Sequence, residues 1–271
     1  MAGTPGLQGL QWLSREKIHI ALLTSLQFQI LKRFFPEPAA GGCSGSAYEG
    51  RSKLEVLLGE NFFSRIEGKN VVDFGCGEGA DAIEMARRGA RRVIGVDVRE
   101  DVLQTARQRA RAAGVETSCI FLTPAGVPKR FADVLVSVDA FEHFENPLGA
   151  LLDMHTLLRP GGEAIISFGP TWYHPLGGHL FSVFPWAHLI FSEEALMRWR
   201  STFKTDGAAR FHEVAGGLNQ MTIRRFEALV AESPFRVAAL ELAPVRKLRR
   251  VHFRLTREFT TAVVRCRLIA L

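Results

Sequence analysis

Between Val71 and Asp81 the chain reads VVDFGCGEGAD. Gly75, Gly77 and Gly79 alternate with Cys76 and Glu78, directly after a short apolar run. Glycines at this spacing allow positive φ and remove side chains, so a ligand can approach the backbone. A helix that starts just past such a loop adds N–H groups facing a polar or anionic group. Asp73 lies two residues before Gly75, where a buried strand is expected to end. A buried carboxylate needs a partner. A cationic ligand with an amino group supplies one, whereas a pyrophosphate would be repelled. Further on, DAFEH places Asp139, Glu142 and His143 together, a set suited to moving a proton or holding a metal.

The elements around these residues follow a regular pattern. NVVDFG reads as a first strand, and DAIEMARRG as a helix stopped by Gly89. RRVIGVDV is a second strand, and REDVLQTARQRARAAG a second helix stopped by Gly114. TSCIFL and ADVLVSVDA follow as strands. PLGALLDMHTLLRPGG is a helix ended by Pro160 and two glycines, and EAIISF is a fifth strand. Strands alternating with helices predict a doubly wound α/β sheet, mostly parallel, with helices on both faces. The strands are nearly continuous apolar runs, as strands covered on both faces must be. MTIRRFEALVAES then reads as a helix, FRVAALEL as a strand, and TTAVVRCRLIAL as a last, antiparallel strand. In such a sheet ligands sit at the carboxyl ends of the strands, where the glycine loop and the acidic residues fall.

A dinucleotide site is the first alternative. Its fingerprint, G-x-G-x-x-G with an acidic residue about 20 positions on, would need a third glycine where Ala80 stands. Asp73 and Ala80 together argue against an NAD-dependent oxidoreductase.

At this point the chain resembles the class I S-adenosylmethionine-dependent methyltransferases. Their first motif is acidic-x-Gly-x-Gly-x-Gly, and DFGCGEG matches every fixed position. VIGVDV is similar to the family's second strand, FADVLVSVDAFEHFENP to its fourth strand and loop, and LLRPGGEAIISF to the helix end and fifth strand. The resemblance implies a Rossmann-like methyltransferase sheet and S-adenosyl-L-methionine as cofactor. It implies that Asp73 and the loop Gly75, Cys76, Gly77 and Gly79 hold the methionine part. Asp97, followed by Val98, would take the ribose, and Asp139 would line the pocket. Thr123 stands where the family usually has an Asp against the adenine. The acidic-x-x-Glu-His run is similar to one in O-methyltransferases of quinone biosynthesis, where it is associated with a divalent metal; here Glu142 and His143 are assigned to catalysis and no residue to a metal. The segment with Tyr48, Arg51 and Lys53 often closes over the cofactor in this family.

The remaining regions frame an acceptor site. Residues 169–218 form an excursion dense in aromatics, with His174, His179 and His188 lacking any metal-ligand spacing. It would serve as a lid for a small hydrophobic or aromatic acceptor, or as a helical subdomain with its own core. Residues 1–50 comprise an amphipathic helix and a Pro/Gly/Ser-rich linker at 36–50, and residues 51–271 the methyltransferase domain. The helix is expected to pack on the domain or cover its site. Its apolar run, Ile18–Leu31, is shorter than the roughly 20 residues of a spanning helix and is interrupted by polar residues, but peripheral membrane contact is compatible with it. Cys43, Cys76, Cys119 and Cys266 are scattered without metal or disulfide spacing, which fits a reducing, cytoplasmic setting. The net charge of +6 raises a nucleic-acid methyltransferase as a rival, but no RNA-binding module or amino-methylation motif accompanies it. A catalytically degenerate cofactor-binding module is the other rival.

Overall fold

The computed structural model describes residues 7–36, 51–214 and 217–271; Cys43, Tyr48 and nearly all of the expected linker lie outside them. Along the chain run α1 (Leu7–Phe34), α2 (Lys53–Leu58), α3 (Phe62–Ile66), β1 (Asn70–Phe74), α4 (Ala80–Arg87), β2 (Arg92–Val96), α5 (Glu100–Ala112), β3 (Cys119–Leu122) and β4 (Ala132–Val138). They continue as α6 (Pro147–Leu157), β5 (Leu158–Phe168), α7 (Ala187–Ile190), α8 (Glu193–Arg200), α9 (Ile223–Glu232), β6 (Phe235–Pro244), α10 (Arg257–Thr260) and β7 (Thr261–Ala270).

The strands form one sheet in the order β3-β2-β1-β4-β5-β7-β6. β1 pairs in parallel with β2 and β4, which places the carboxyl ends of these strands side by side. β7 runs antiparallel to both β5 and β6, as the last strand was expected to. Successive residues of β1 serve opposite faces: Val71 packs with Met85, Leu103 and Val136, and Val72 with Leu135, Leu151 and Phe226. The order reverses at β1 and β4, and that switch point opens the crevice in which α/β sheets hold ligands.

One boundary differs from expectation. α6 stops at Leu157, and Leu158 already pairs with Ala132 as the start of β5. Arg159 precedes Pro160, and the proline ring disfavours helical backbone in the residue before it. The chain therefore extends before the two glycines rather than after them.

The excursion builds a core of its own. Phe181, Leu196, Trp199 and Phe211 are buried together with Phe28 and Leu31 of α1. Thr24, Phe28 and Leu31 form one buried row of α1, and Trp199 donates through Nε1 to the Phe35 carbonyl at 2.6 Å. Among the described residues, no helix is long and apolar enough to cross a membrane.

Candidate functional site

A cleft of about 530 Å³ opens at the carboxyl ends of β1, β2 and β4. Its lining includes Phe74, Gly75, Asp97, Val98, Asp139 and His143. α1 contributes nothing to it among the described residues, and the aromatic excursion contributes only His212 and Gly217. The aromatic density of residues 169–218 thus belongs mainly to the subdomain core.

The glycine loop is held by geometry that only glycine suits. Gly79 has φ 81°, and a Cβ there would meet Phe121 at 2.6 Å. Gly77 has φ 51°, and a Cβ there would project into open space, so its backbone is free to face a ligand. The Gly77 N–H donates to Asp97 Oδ2 at 3.0 Å, which ties the loop to the end of β2. Asp97 is buried, and its Oδ1 also accepts from the Arg99 N–H at 3.0 Å and from Arg99 Nε at 3.2 Å. The Arg99 side chain is half-exposed and can yield the carboxylate to a ligand diol.

Asp73 lies at the bottom of this arrangement, with 3% exposure and no hydrogen-bond partner on Oδ2. Burial, reinforced by the nearby Asp81 charge, holds its carboxyl well above the usual range. Lys53, at the start of α2, reaches across the loop to Asp81 Oδ2 at 3.2 Å and Asp139 Oδ2 at 3.1 Å. Burial works against its charge, but Asp81 and Asp139 outweigh this and keep its pKa above the ordinary lysine value. Ser52 caps α2 by accepting from the Glu55 N–H at 3.2 Å, which fixes where Lys53 leaves the helix. Asp139 takes φ 50°, a strained value for a non-glycine residue, and its N–H is held by the Ser167 carbonyl at 2.9 Å.

The other cofactor-side residues fall in different places. Val98 is 79% exposed and lines the cleft. Thr123 is exposed and outside the lining, while Pro124 next to it faces the cleft. Cys76 contributes no lining side chain either. It packs on the core beneath the loop, where burial raises its thiol pKa.

Glu142 and His143 sit in a short turn after β4. His143 Nδ1 lies 2.7 Å from the Gly217 carbonyl, which can only accept, so Nδ1 carries a hydrogen and in the neutral ring Nε2 is the acceptor. Glu142 is buried. Its Oε1 accepts from the Gly169 N–H at 3.3 Å, and Oε2 has no hydrogen-bond partner. Burial pushes its carboxyl up to about 8. Asn219 clamps this turn, donating through Nδ2 to the Phe141 and Phe144 carbonyls at 2.9 Å each.

The excursion's histidines divide. His188 is buried with both ring nitrogens bonded, to Ser182 Oγ at 2.9 Å and the Trp172 carbonyl at 2.7 Å, and His174 Nδ1 accepts from the Leu176 N–H at 3.0 Å. Both have structural partners. His179 lies edge-on against His143 at 5.3 Å between ring centroids. Donor atoms of Glu142, His143 and His179 lie within 4.8 Å of one another, a spacing that could hold a metal ion. No local sequence spacing signals this set, because 36 positions separate His143 from His179 in the numbering of the chain.

Residues 72–166 match the family model described as "Methyltransferase domain". Residues 72–166 thus correspond to a methyltransferase domain, and the sheet around them has the Rossmann-like methyltransferase fold. It is 37% identical over 107 residues to a ubiquinone biosynthesis O-methyltransferase of Azotobacter vinelandii, covering 38% of this chain and 45% of that protein. It is 38% identical over 117 residues to a ribosomal protein L11 methyltransferase of Pseudomonas aeruginosa, covering 42% of this chain and 37% of that one. The matched part thus spans less than half the length of these curated relatives. A solved geranyl diphosphate methyltransferase in complex with S-adenosylmethionine shares the fold, with a TM-score of 0.55 at 15% identity over 87% of this chain and 93% of that one. The glycine loop and Asp97 fall inside the matched residues, whereas Lys53, His179 and Asn219 fall outside them.

Proposed function

We propose that the chain binds S-adenosyl-L-methionine and transfers its methyl group to a small, partly hydrophobic acceptor through an atom that gives up a proton. The observation that carries this reading is the buried, unpartnered Oδ2 of Asp73 next to the glycine loop, with Lys53 paired to Asp81 and Asp139 on either side of it. These groups fit the amino-acid end of the cofactor. Asp73 Oδ2 offers an acceptor for its ammonium, Lys53 a cation for its carboxylate, and Asp97 two oxygens for its ribose diol. Val98 gives an exposed apolar surface for the adenine.

Bound S-adenosylmethionine supplies a methyl group on a sulfonium, already activated for direct displacement. The protein's own part is alignment and proton removal. His143 presents Nε2 as a base at the edge of the cleft, held in that tautomer by the Gly217 carbonyl. Glu142 lies next to it and holds its own proton up to about pH 8, so proton removal falls to His143. Beside the cleft, a second hollow of about 410 Å³ is bordered by His143, His212, Leu218, Asn219 and Arg225, a size that suits a small molecule. The relatives' names place both an O-methyltransferase and a protein methyltransferase among similar chains; the modest hollow favours the small acceptor over a protein or nucleic acid. Cytoplasmic placement belongs to the same reading, and peripheral membrane contact through α1 is compatible with it.

Calorimetric titration of the purified chain with S-adenosylmethionine, S-adenosylhomocysteine and NADH tests it. Binding of the first two, weakened in Asp73→Ala and Asp97→Ala, is the expected result. Binding of NADH alone, or of none of the three, would overturn the reading.

A further inference from the structure

α1 buries one row of side chains and exposes another. Thr24, Phe28 and Leu31 face the subdomain core, while Leu23, Leu26, Ile30 and Phe34 recur at helical spacing on an adjoining, exposed stripe. Phe34 is 69% exposed and Leu26 59%. A soluble helix would be expected to carry polar residues there. The stripe does not end with the helix. Gln27 fastens α1 to the corner of α7 and α8: its Oε1 accepts from the Ser192 N–H and hydroxyl at 2.9 Å each. At that corner Leu189 and Ile190 are exposed as well.

A run of contacts leads on to the C-terminal region. Trp186, just before α7, is 37% exposed and donates through Nε1 to the Tyr173 carbonyl at 3.0 Å. The Tyr173 ring lies 5.4 Å from that of Phe259 in α10. Phe259 is exposed, and ahead of it the turn Arg246–Val251 and the following loop expose Val251, Phe253 and Leu255, the last at 81%. Interleaved with these are Arg246, Lys247, Arg249, Arg250 and Arg254, all exposed. None of the five forms a salt bridge with a described residue, although Arg257 close by is paired with Glu227. Lys32 and Arg33 add two exposed cations at the end of α1.

Exposed aliphatic and aromatic side chains alternating with unpaired cations match a surface that is anionic at its face and apolar just beneath. Nucleic acid would answer the cations but offers little to Leu23, Leu26 and Leu255. We infer that α1, the α7 corner and the basic 246–255 segment form one docking surface for a bilayer bearing anionic headgroups. The methyltransferase cleft contributes none of these residues, so this inference stands or falls apart from the cofactor reading.

Flotation of the full chain with phosphatidylcholine vesicles and with phosphatidylcholine–phosphatidylglycerol vesicles tests it. The chain is expected to float with the anionic vesicles, far less with the neutral ones, and less as salt rises. Arg249→Gln and Arg250→Gln should each weaken partitioning roughly fivefold, equivalent to ~1 kcal/mol per charge. Leu23→Ser with Leu26→Ser, and separately Phe253→Ser with Leu255→Ser, should each weaken it about tenfold or more, while melting and cofactor titration match the parent chain. Equal flotation on both vesicles, no flotation, or flotation untouched by either apolar pair overturns the inference. So does salt-sensitive binding to an RNA oligonucleotide without flotation. A concentration-dependent dimer abolished by Leu23→Ser with Leu26→Ser, again without flotation, would assign the face to a second copy instead.

Discussion

The Gly77 N–H donates to Asp97 Oδ2 at 3.0 Å, so the tip of the glycine loop and the carboxylate at the end of β2 are one unit. Asp97 therefore has two tasks, shaping the loop and offering oxygens to a ligand diol. Asp97→Ala removes both and leaves a loop N–H without its acceptor, a loss of ~1–3 kcal/mol. S-adenosylmethionine affinity should fall roughly 10- to 100-fold. Asp97→Asn keeps one acceptor oxygen and should fall between parent and alanine variant. Calorimetry on the three proteins checks the order; equal affinities would remove Asp97 from the site.

Asp73 gives a prediction that depends on protons. Its burial favours the neutral acid in the free protein. A cation seated against Oδ2 favours the carboxylate, so binding must release a proton near neutral pH. The affinity for S-adenosylmethionine should then rise with pH until Asp73 is ionised in the free protein. Titrations in buffers of different ionisation enthalpy measure the release directly. It should vanish in Asp73→Asn, and a parent protein that binds with no proton release would contradict the pairing.

The part of the candidate site that the sequence makes legible is local. Asp73, the three glycines and Asp97 lie within 25 positions, each forced by strand ends and a tight turn. The side chains that complete the site arrive from afar. Lys53 comes from a helix before β1, His179 from the excursion and Asn219 from the chain beyond it. Their roles depend on packing that no periodicity records. Thr123 illustrates the reverse case. It follows the third strand as the resemblance requires, yet the cleft is lined by its neighbour Pro124. Composition leaves the aromatic excursion open between a lid and a subdomain with its own core, and most of its rings pack with Phe28 and Leu31 of α1. Composition alone does not separate a lid from a subdomain core.

His143 is expected to matter for turnover and little for cofactor binding. Its Nδ1 is committed to Gly217, which leaves Nε2 as the proton acceptor. His143→Ala should lower acceptor-dependent turnover ~10²–10⁴-fold, the usual contribution of a positioned base. S-adenosylmethionine affinity should remain within a few-fold of the parent. Chelation by EDTA should leave the parent's turnover unchanged if Nε2 works as a base. A loss restored by a divalent ion would make His143 a metal ligand with Glu142 and His179, and unchanged turnover in His143→Ala would take it out of the chemistry altogether.

Glu142 ties the site to the pH dependence of folding. A free glutamate titrates near 4.5, and burial raises Glu142 to about 8 in the folded protein. Between these values the folded state holds a proton that the unfolded chain has released. Stability from this group is therefore complete below pH 4.5 and is lost as pH rises to about 8. Glu142→Gln has no proton to lose, so its melting temperature should fall less across the same window, with Asp73 accounting for the slope that remains. The difference should amount to several degrees, since each kcal/mol moves the midpoint of a protein this size by ~2–4 °C. Melting curves for the two proteins at pH values below 4.5 and above 8 decide it. Parallel profiles would mean that Glu142 is ionised in the folded protein throughout, with its buried oxygen Oε2 satisfied by a partner such as a bound cation.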